Sequence, residues 1–254
     1  MRKTLRDAAD LYFPNAGLLS AIVLTTILPF ATLANWVALD SGLPYDLWLS
    51  LGYGLPRRID WPLDAIGAAG AALAVGAVIN VLVTVERGGS PTYRDSMAAA
   101  FRAFGWLYVA NLIVGVITVI AAFALIIPAI IVLVRYAFVP CVVVVEGARP
   151  GEALRRSAQL TKGLRWRILG VGLVVGTALA ALALVIHVRV TALHAVGDAV
   201  VATFLAHTVG DGILSIAGVF ISVVVFVLYS GAKDAHTRAE PDAPEQAEPS
   251  SEPM

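Results

Sequence analysis

A single cysteine, Cys141, leaves no partner for an internal disulfide and no set of thiolates for a zinc site. Charge is scarce as well: 14% of the residues are Asp, Glu, Lys or Arg, where a soluble domain carries about a quarter. There is no Gly-x-x-x-x-Gly-Lys loop and no strand-led glycine-rich turn, so the common nucleotide cradles are excluded. Ser157 and Ser215 lack any nearby His–acid arrangement, so nothing reads as a serine hydrolase. With 59% hydrophobic residues and a mean hydropathy of +0.82, a water-soluble chain could not cover its own core. Composition therefore predicts an integral membrane protein. Cys141 sits in one of the apolar runs and reads as a small hydrophobe.

Those runs are long. A spanning helix needs roughly 20 apolar residues, because the hydrocarbon core is about 30 Å thick and each residue rises about 1.5 Å. Residues 16–39 supply one span and 63–85 a second, rich in Ala and Gly. From Gly105 to Val145 the strongly polar residues are Asn111 and Arg135 alone. As one helix this stretch would be about 60 Å long, enough for two crossings, and Pro128 stands where the fold-back is needed. That gives spans at 106–127 and 129–145, and 168–188 and 212–230 complete six. The expected fold is an all-α polytopic membrane protein, a bundle of six transmembrane helices with two amphipathic elbow helices. The first apolar region exceeds the length of a cleaved signal and lacks a small-x-small site, so it reads as a retained anchor.

Lysine and arginine set the direction. With the N-terminus inside, fourteen of the 18 fall in cytoplasmic segments: Arg2, Lys3, Arg6, three between spans two and three, six between four and five, and Lys233 and Arg238. Arg57, Arg58 and Arg189 lie outside, and Arg135 within a span. Both termini are expected in the cytoplasm. Trp36, Trp48 and Trp61 then fall near the outer boundary, and Trp106 and Trp166 near the inner one.

The segment "EGARPGEALRRSAQLTKGLRW" (146–166) interrupts the apolar pattern with helical periodicity. Glu152, Arg155, Arg156, Gln159 and Lys162 share one face, and Ala153, Leu154, Ser157, Ala158, Leu160, Thr161 and Leu164 the other. Such a helix lies in the headgroup plane with its apolar side down. Arg155, Arg156, Lys162, Arg165 and Arg167 are the candidate contacts to lipid phosphate, at about 1 kcal/mol per nearby charge. Positive-inside topology alone also accounts for these charges. The earlier connection, "ERGGSPTYRDSMAAAFRAFGW" (86–106), has the same plan: Glu after the span, Gly, Pro, an arginine-bearing amphipathic segment and a closing Trp. Ser90 is its expected N-cap. The two connections read as an internal repeat or as a chance likeness of two cytoplasmic loops.

Residues 135–168 resemble the membrane domain associated with bacterial glycerophosphoryl diester phosphodiesterases. The likeness rests on Arg135, Pro140, Glu146-Gly147, Ala153-Leu154, Arg156-Ser157, Leu160-Thr161, Gly163 and Trp166-Arg167, with Leu228, Tyr229 and Lys233 near the end. Ser230-Gly231 departs from the polar or acidic residues usual there. The resemblance implies a helical bundle in a bacterial cytoplasmic membrane. It does not imply the catalysis, which in the family belongs to a separate soluble barrel with metal ligands, and this sequence has no acidic-histidine cluster of that kind.

Other candidates are isolated. Arg135, a charge inside a span, marks a functional site by default, with Asn80 and Asn111 as companions around a polar cavity and Asp211 as a further partner. It also lies about 10 Å from the outer surface, within snorkelling reach of the interface. His194/Asp198 and His207/Asp211 have the i, i+4 spacing of an N/O metal pair, and local His–Asp hydrogen bonds explain them equally. Gly172-x-x-x-Gly176 reads as close helix packing. Residues 231–254, with six acidic residues and four prolines, read as a disordered tail that solvates the end or meets a basic protein partner. No cofactor, metal, catalytic set or nucleic-acid surface is indicated. The reading is a non-enzymatic scaffold, accessory or lipid-interacting membrane protein; the alternative is a transporter or lipid-handling protein with its cavity near Arg135.

Overall fold

The computed structural model describes residues 2–40, 60–194 and 200–239. Among them are eight helices and no strand: α1 (Arg2–Asp40), α2 (Asp60–Glu86), α3 (Tyr93–Ala124), α4 (Ile126–Arg135), α5 (Val139–Glu146), α6 (Pro150–Leu160), α7 (Arg165–His194) and α8 (Val200–Ala239). Six stretches are long and apolar enough to cross a membrane: 2–33, 67–86, 93–123, 127–146, 165–189 and 204–238. Among the described residues their number is the expected one. Their ends differ.

The core is built around α2. Ala72, Ala74, Ala77, Val78, Ile79, Val81 and Leu82 are all buried there, because α1, α3, α5 and α8 pack about it. Small residues permit that approach. A Cβ on Gly70 would stand 2.6 Å from the Phe30 ring and 2.8 Å from the Thr26 carbonyl oxygen, so α1 and α2 touch backbone to backbone here. The outer surface is apolar: Phe123 is 89% exposed and Leu173 67%. Apolar surface this continuous suits lipid contact rather than water.

α1 begins fourteen residues before the expected start at 16. Leu5, Ala8, Leu11 and Tyr12 pack against the core while Arg2, Lys3, Arg6 and Asp10 face out, so the charges that hid the helix occupy its other side. At the far end, residues 231–239, expected to be disordered, continue α8 to Ala239. Tyr229 and Ala232 anchor them in the core, and His236 and Arg238 lie in the last turn, where cations complement the helix dipole. Residues 240–254, the rest of the expected tail, lie outside the described residues, as do residues 41–59.

The first expected elbow is not a separate helix. Residues 93–124 form one continuous α3, started by Thr92 rather than Ser90: the Asp95 backbone N–H donates to the Thr92 hydroxyl at 3.2 Å. The second elbow is separate, as α6. The fold-back falls at Leu125, not Pro128. Pro128 sits in the first turn of α4, where a missing N–H costs no helical bond. The fourth of these apolar stretches is itself broken, α4 ending at Arg135 and α5 starting at Val139 after the turn Tyr136–Phe138.

Candidate functional site

The break between α4 and α5 leaves backbone groups unpaired inside the protein, and α6 supplies what they need. The Ser157 hydroxyl accepts from the Phe138 N–H at 3.3 Å and donates to the Arg135 carbonyl at 3.0 Å. Thr161 places its hydroxyl 3.2 Å from the same carbonyl and 2.9 Å from that of Ser157. Both side chains are fully buried. The apolar side of α6 therefore faces the bundle, with Ala153, Ala158 and Leu160 buried beside Ser157, and is not left for lipid as the sequence suggested. Two glycines let the chain make this excursion. Gly147 (φ 66°) closes α5 and Gly163 (φ 82°) turns the chain from α6 into α7, both in the left-handed region that disfavours a Cβ.

A second set of contacts ties this excursion to the chain ends. The Tyr229 hydroxyl donates to Glu146 Oε1 at 2.7 Å, and Arg156 Nε lies 3.6 Å from Glu146 Oε2. The Tyr229 ring meets the Phe138 ring edge-on at 6.0 Å, and the Lys233 ammonium lies 5.9 Å from the Tyr229 centroid. Nearby, Arg167 Nη2 donates to the Thr4 hydroxyl at 2.6 Å and links the start of α7 to the start of α1. The start of α1, the end of α8 and the turn from α6 to α7 thus gather at one end of the bundle.

Between them lies a cavity of about 700 Å³. Lys3, Lys162 and Arg167 line it with Thr4 and Gln159, and Asp7 and His236 complete its ionisable wall. A groove of about 500 Å³ is walled by the same three long helices, α1, α7 and α8, and its lining is apolar apart from the Tyr12 hydroxyl: Phe13, Val174, Ala178, Leu179 and Phe220 are among its residues.

The expected lipid-phosphate residues divide accordingly. Lys162 and Arg167 line the cavity, Arg155 and Arg165 lie outside it, all four being exposed, and Arg156 is turned to Glu146. Neither of these two cavities forms around the residues of the expected polar cavity. Arg135 is exposed at the end of α4 with its guanidinium 5.7 Å from the Tyr136 centroid. Asn80 and Asn111 are half-buried on α2 and α3, and neither cavity includes any of the three. Of the two His–Asp pairs, Asp198 lies outside the described residues, and His207 and Asp211 belong to α8. Among the described residues no group of three or more His, Cys, Asp or Glu side chains could hold a metal.

Lys3 and Thr4 were missed as site residues. The signal was present in the helical spacing of Leu5, Ala8, Leu11 and Tyr12, which makes the N-terminal segment the first turns of a helix rather than a charged leader.

Residues 63–235, more than half of the chain, match the family described as Domain of unknown function (DUF7847). The chain belongs to that family. No curated protein and no solved structure matches it. The match covers α2 to α8 almost entirely, and so includes the α4–α5 break, α6 and the Glu146–Tyr229 bond. The cavity draws Lys3, Thr4 and Asp7 from before it.

Proposed function

We propose that this DUF7847 protein is a non-enzymatic multi-pass membrane protein, of the scaffold or accessory type, that engages anionic lipid at the inner leaflet through its basic end. The observation that carries this reading is the gathering of Lys3, Arg155, Lys162, Arg165 and Arg167 at one end of a bundle whose outer surface is apolar. Charges at that level attract anionic lipid by about 1 kcal/mol each, an attraction that fades within a Debye length. The same residues satisfy the positive-inside rule with both termini cytoplasmic.

The likeness to the membrane domain of glycerophosphoryl diester phosphodiesterases belongs to this proposal. Among the residues that carry the likeness, Arg135, Ser157 and Thr161 meet at the broken span, and Glu146, Arg156 and Tyr229 meet where it contacts α8. In this reading they form a structural motif that fixes a broken span, not a reaction centre.

A transport function draws support from the broken fourth crossing, since discontinuous helices surround many substrate sites. Here Ser157 and Thr161 occupy that break and the cavity lies elsewhere, which favours the lipid reading.

The test is lipid composition around the protein. Nanodiscs made from equal phosphatidylglycerol and phosphatidylcholine, loaded with wild type, should be enriched in phosphatidylglycerol near the protein. The variant Arg155→Gln/Lys162→Gln/Arg165→Gln/Arg167→Gln should lose most of that enrichment, and equal enrichment in both proteins would reject the reading.

A further inference from the structure

We infer that the cavity between the start of α1, the end of α8 and the α6–α7 turn is a one-to-one site for an anionic phospholipid, its phosphate held by Lys3, Lys162 and Arg167 and an acyl chain laid in the apolar groove walled by α1, α7 and α8. This rests on the lipid reading above and narrows it from a diffuse attraction to a saturable site.

Charge and shape both argue for it. The cavity presents three permanent cations against one carboxylate, Asp7, with the His236 imidazole beside them. It therefore carries an excess of positive charge, so an anion is the complementary ligand. Arg167 is held rather than loose: the bond to Thr4 Oγ1 takes one of its five N–H donors and fixes the guanidinium at the wall. Guanidinium and ammonium groups together suit phosphate, the first by its fork of donors and the second as a point charge. Thr4 and Gln159 add polar lining.

The groove explains why the ligand is a lipid rather than a free ion. Its walls come from the same helices, and Val174 stands seven residues beyond Arg167 on α7, about 10 Å along the axis. On α8, Phe220 of the groove lies eight residues, about 12 Å, from Leu228 of the cavity. An acyl chain esterified to a phosphate in the cavity would run along α7 and α8 to reach this groove. Phe13, 72% exposed beside the groove, is apolar surface that an acyl chain would cover.

Native mass spectrometry of the full chain in mild detergent tests this, with phosphatidylglycerol added in increments and phosphatidylcholine as the comparison. Wild type should retain one phosphatidylglycerol at low ratio, before weaker adducts form. Lys3→Gln with Lys162→Gln, which leaves the Arg167–Thr4 bond intact, should weaken that first adduct roughly ten- to thirtyfold, at the charge attraction cited above. Ala178→Trp, which fills the groove, should weaken phosphatidylglycerol while sparing inorganic phosphate. Arg155→Gln with Arg165→Gln should lower the later adducts and spare the first. An unchanged first adduct in Lys3→Gln/Lys162→Gln overturns the site, even if anionic lipid stays enriched overall. No preference for phosphatidylglycerol in any of these proteins overturns the lipid reading itself. Inorganic phosphate competing as well as the lipid, with Ala178→Trp indifferent to both, overturns the lipid as ligand. Gel filtration and thermal unfolding of each variant establish that it is folded.

Discussion

The Tyr229 hydroxyl donates to Glu146 Oε1 at 2.7 Å, joining two residues 83 positions apart. Glu146 ends α5 and Tyr229 lies ten residues before the end of α8, so this bond fastens the broken fourth apolar stretch to the last helix. Arg156 faces the other carboxylate oxygen at 3.6 Å. A hydrogen bond to a charged group contributes about 1.5–3 kcal/mol. Tyr229→Phe should therefore lower the unfolding temperature in detergent by several degrees. Adding Glu146→Ala should cost less than the two single effects combined, because both remove the same contact. Strict additivity would mean that the two side chains act separately.

Ser157→Ala should be the more damaging change. It strands the Phe138 N–H and loses one of the two hydroxyls at the Arg135 carbonyl, and an unsatisfied buried group costs about 1–3 kcal/mol. Thr161→Val should cost less, since the Thr161 hydroxyl also lies within reach of the Ser157 carbonyl of its own helix. Thermal unfolding of the two variants side by side checks the order, and a larger loss at Thr161 would place the bridging role there instead.

Gly70→Val should separate α1 from α2. The added side chain meets the Thr26 carbonyl oxygen, which is backbone and cannot swing aside, so overpacking of about 1–3 kcal/mol is expected. Gly67→Ala, three residues away with open space around it, should leave stability near wild type. Equal behaviour of the two would mean that α1 and α2 do not meet at Gly70.

Much of this architecture could be read from apolar run length, because a span needs roughly 20 apolar residues whatever it packs against. The ends of the helices were harder to read. Residues 2–15 and 231–239 carry charge on one side and packing residues on the other, and charge density hid the periodicity. Pro128 was the visible breaker near the fold-back, but a proline fits the first turn of a helix, so the break fell at Leu125, where the sequence has no marker. The amphipathic face of 150–161 was legible, while its partner was not. Ser157 and Thr161 look like ordinary small residues of an interfacial helix until the unpaired groups of Arg135 and Phe138 are in view. Arg135 illustrates the converse: its side chain marks a charge inside an apolar run, yet its carbonyl holds the junction and the residue is exposed.

The salt dependence of lipid association provides an independent check on its electrostatic origin. Raising ionic strength from about 0.1 M to 1 M shortens the Debye length from about 10 Å to 3 Å. Enrichment of phosphatidylglycerol that arises from Arg155 and Arg165, both exposed, should fall strongly over that range. The first adduct, held by three cations at once and by its acyl chain, should fall less. A parallel decline of both, followed by lipid quantification in nanodiscs, would mean that all the association is superficial.

Site-directed labelling tests the central claim, a spanning bundle with its basic end inward, most directly. Cys141 is buried, and Cys141→Ala provides a clean background. In that background Lys162→Cys and Arg238→Cys should react with a membrane-impermeant maleimide only after the cells are opened, whereas Arg57→Cys should react in intact cells. Labelling of Lys162→Cys in intact cells, or protection of all three positions alike, would contradict the account.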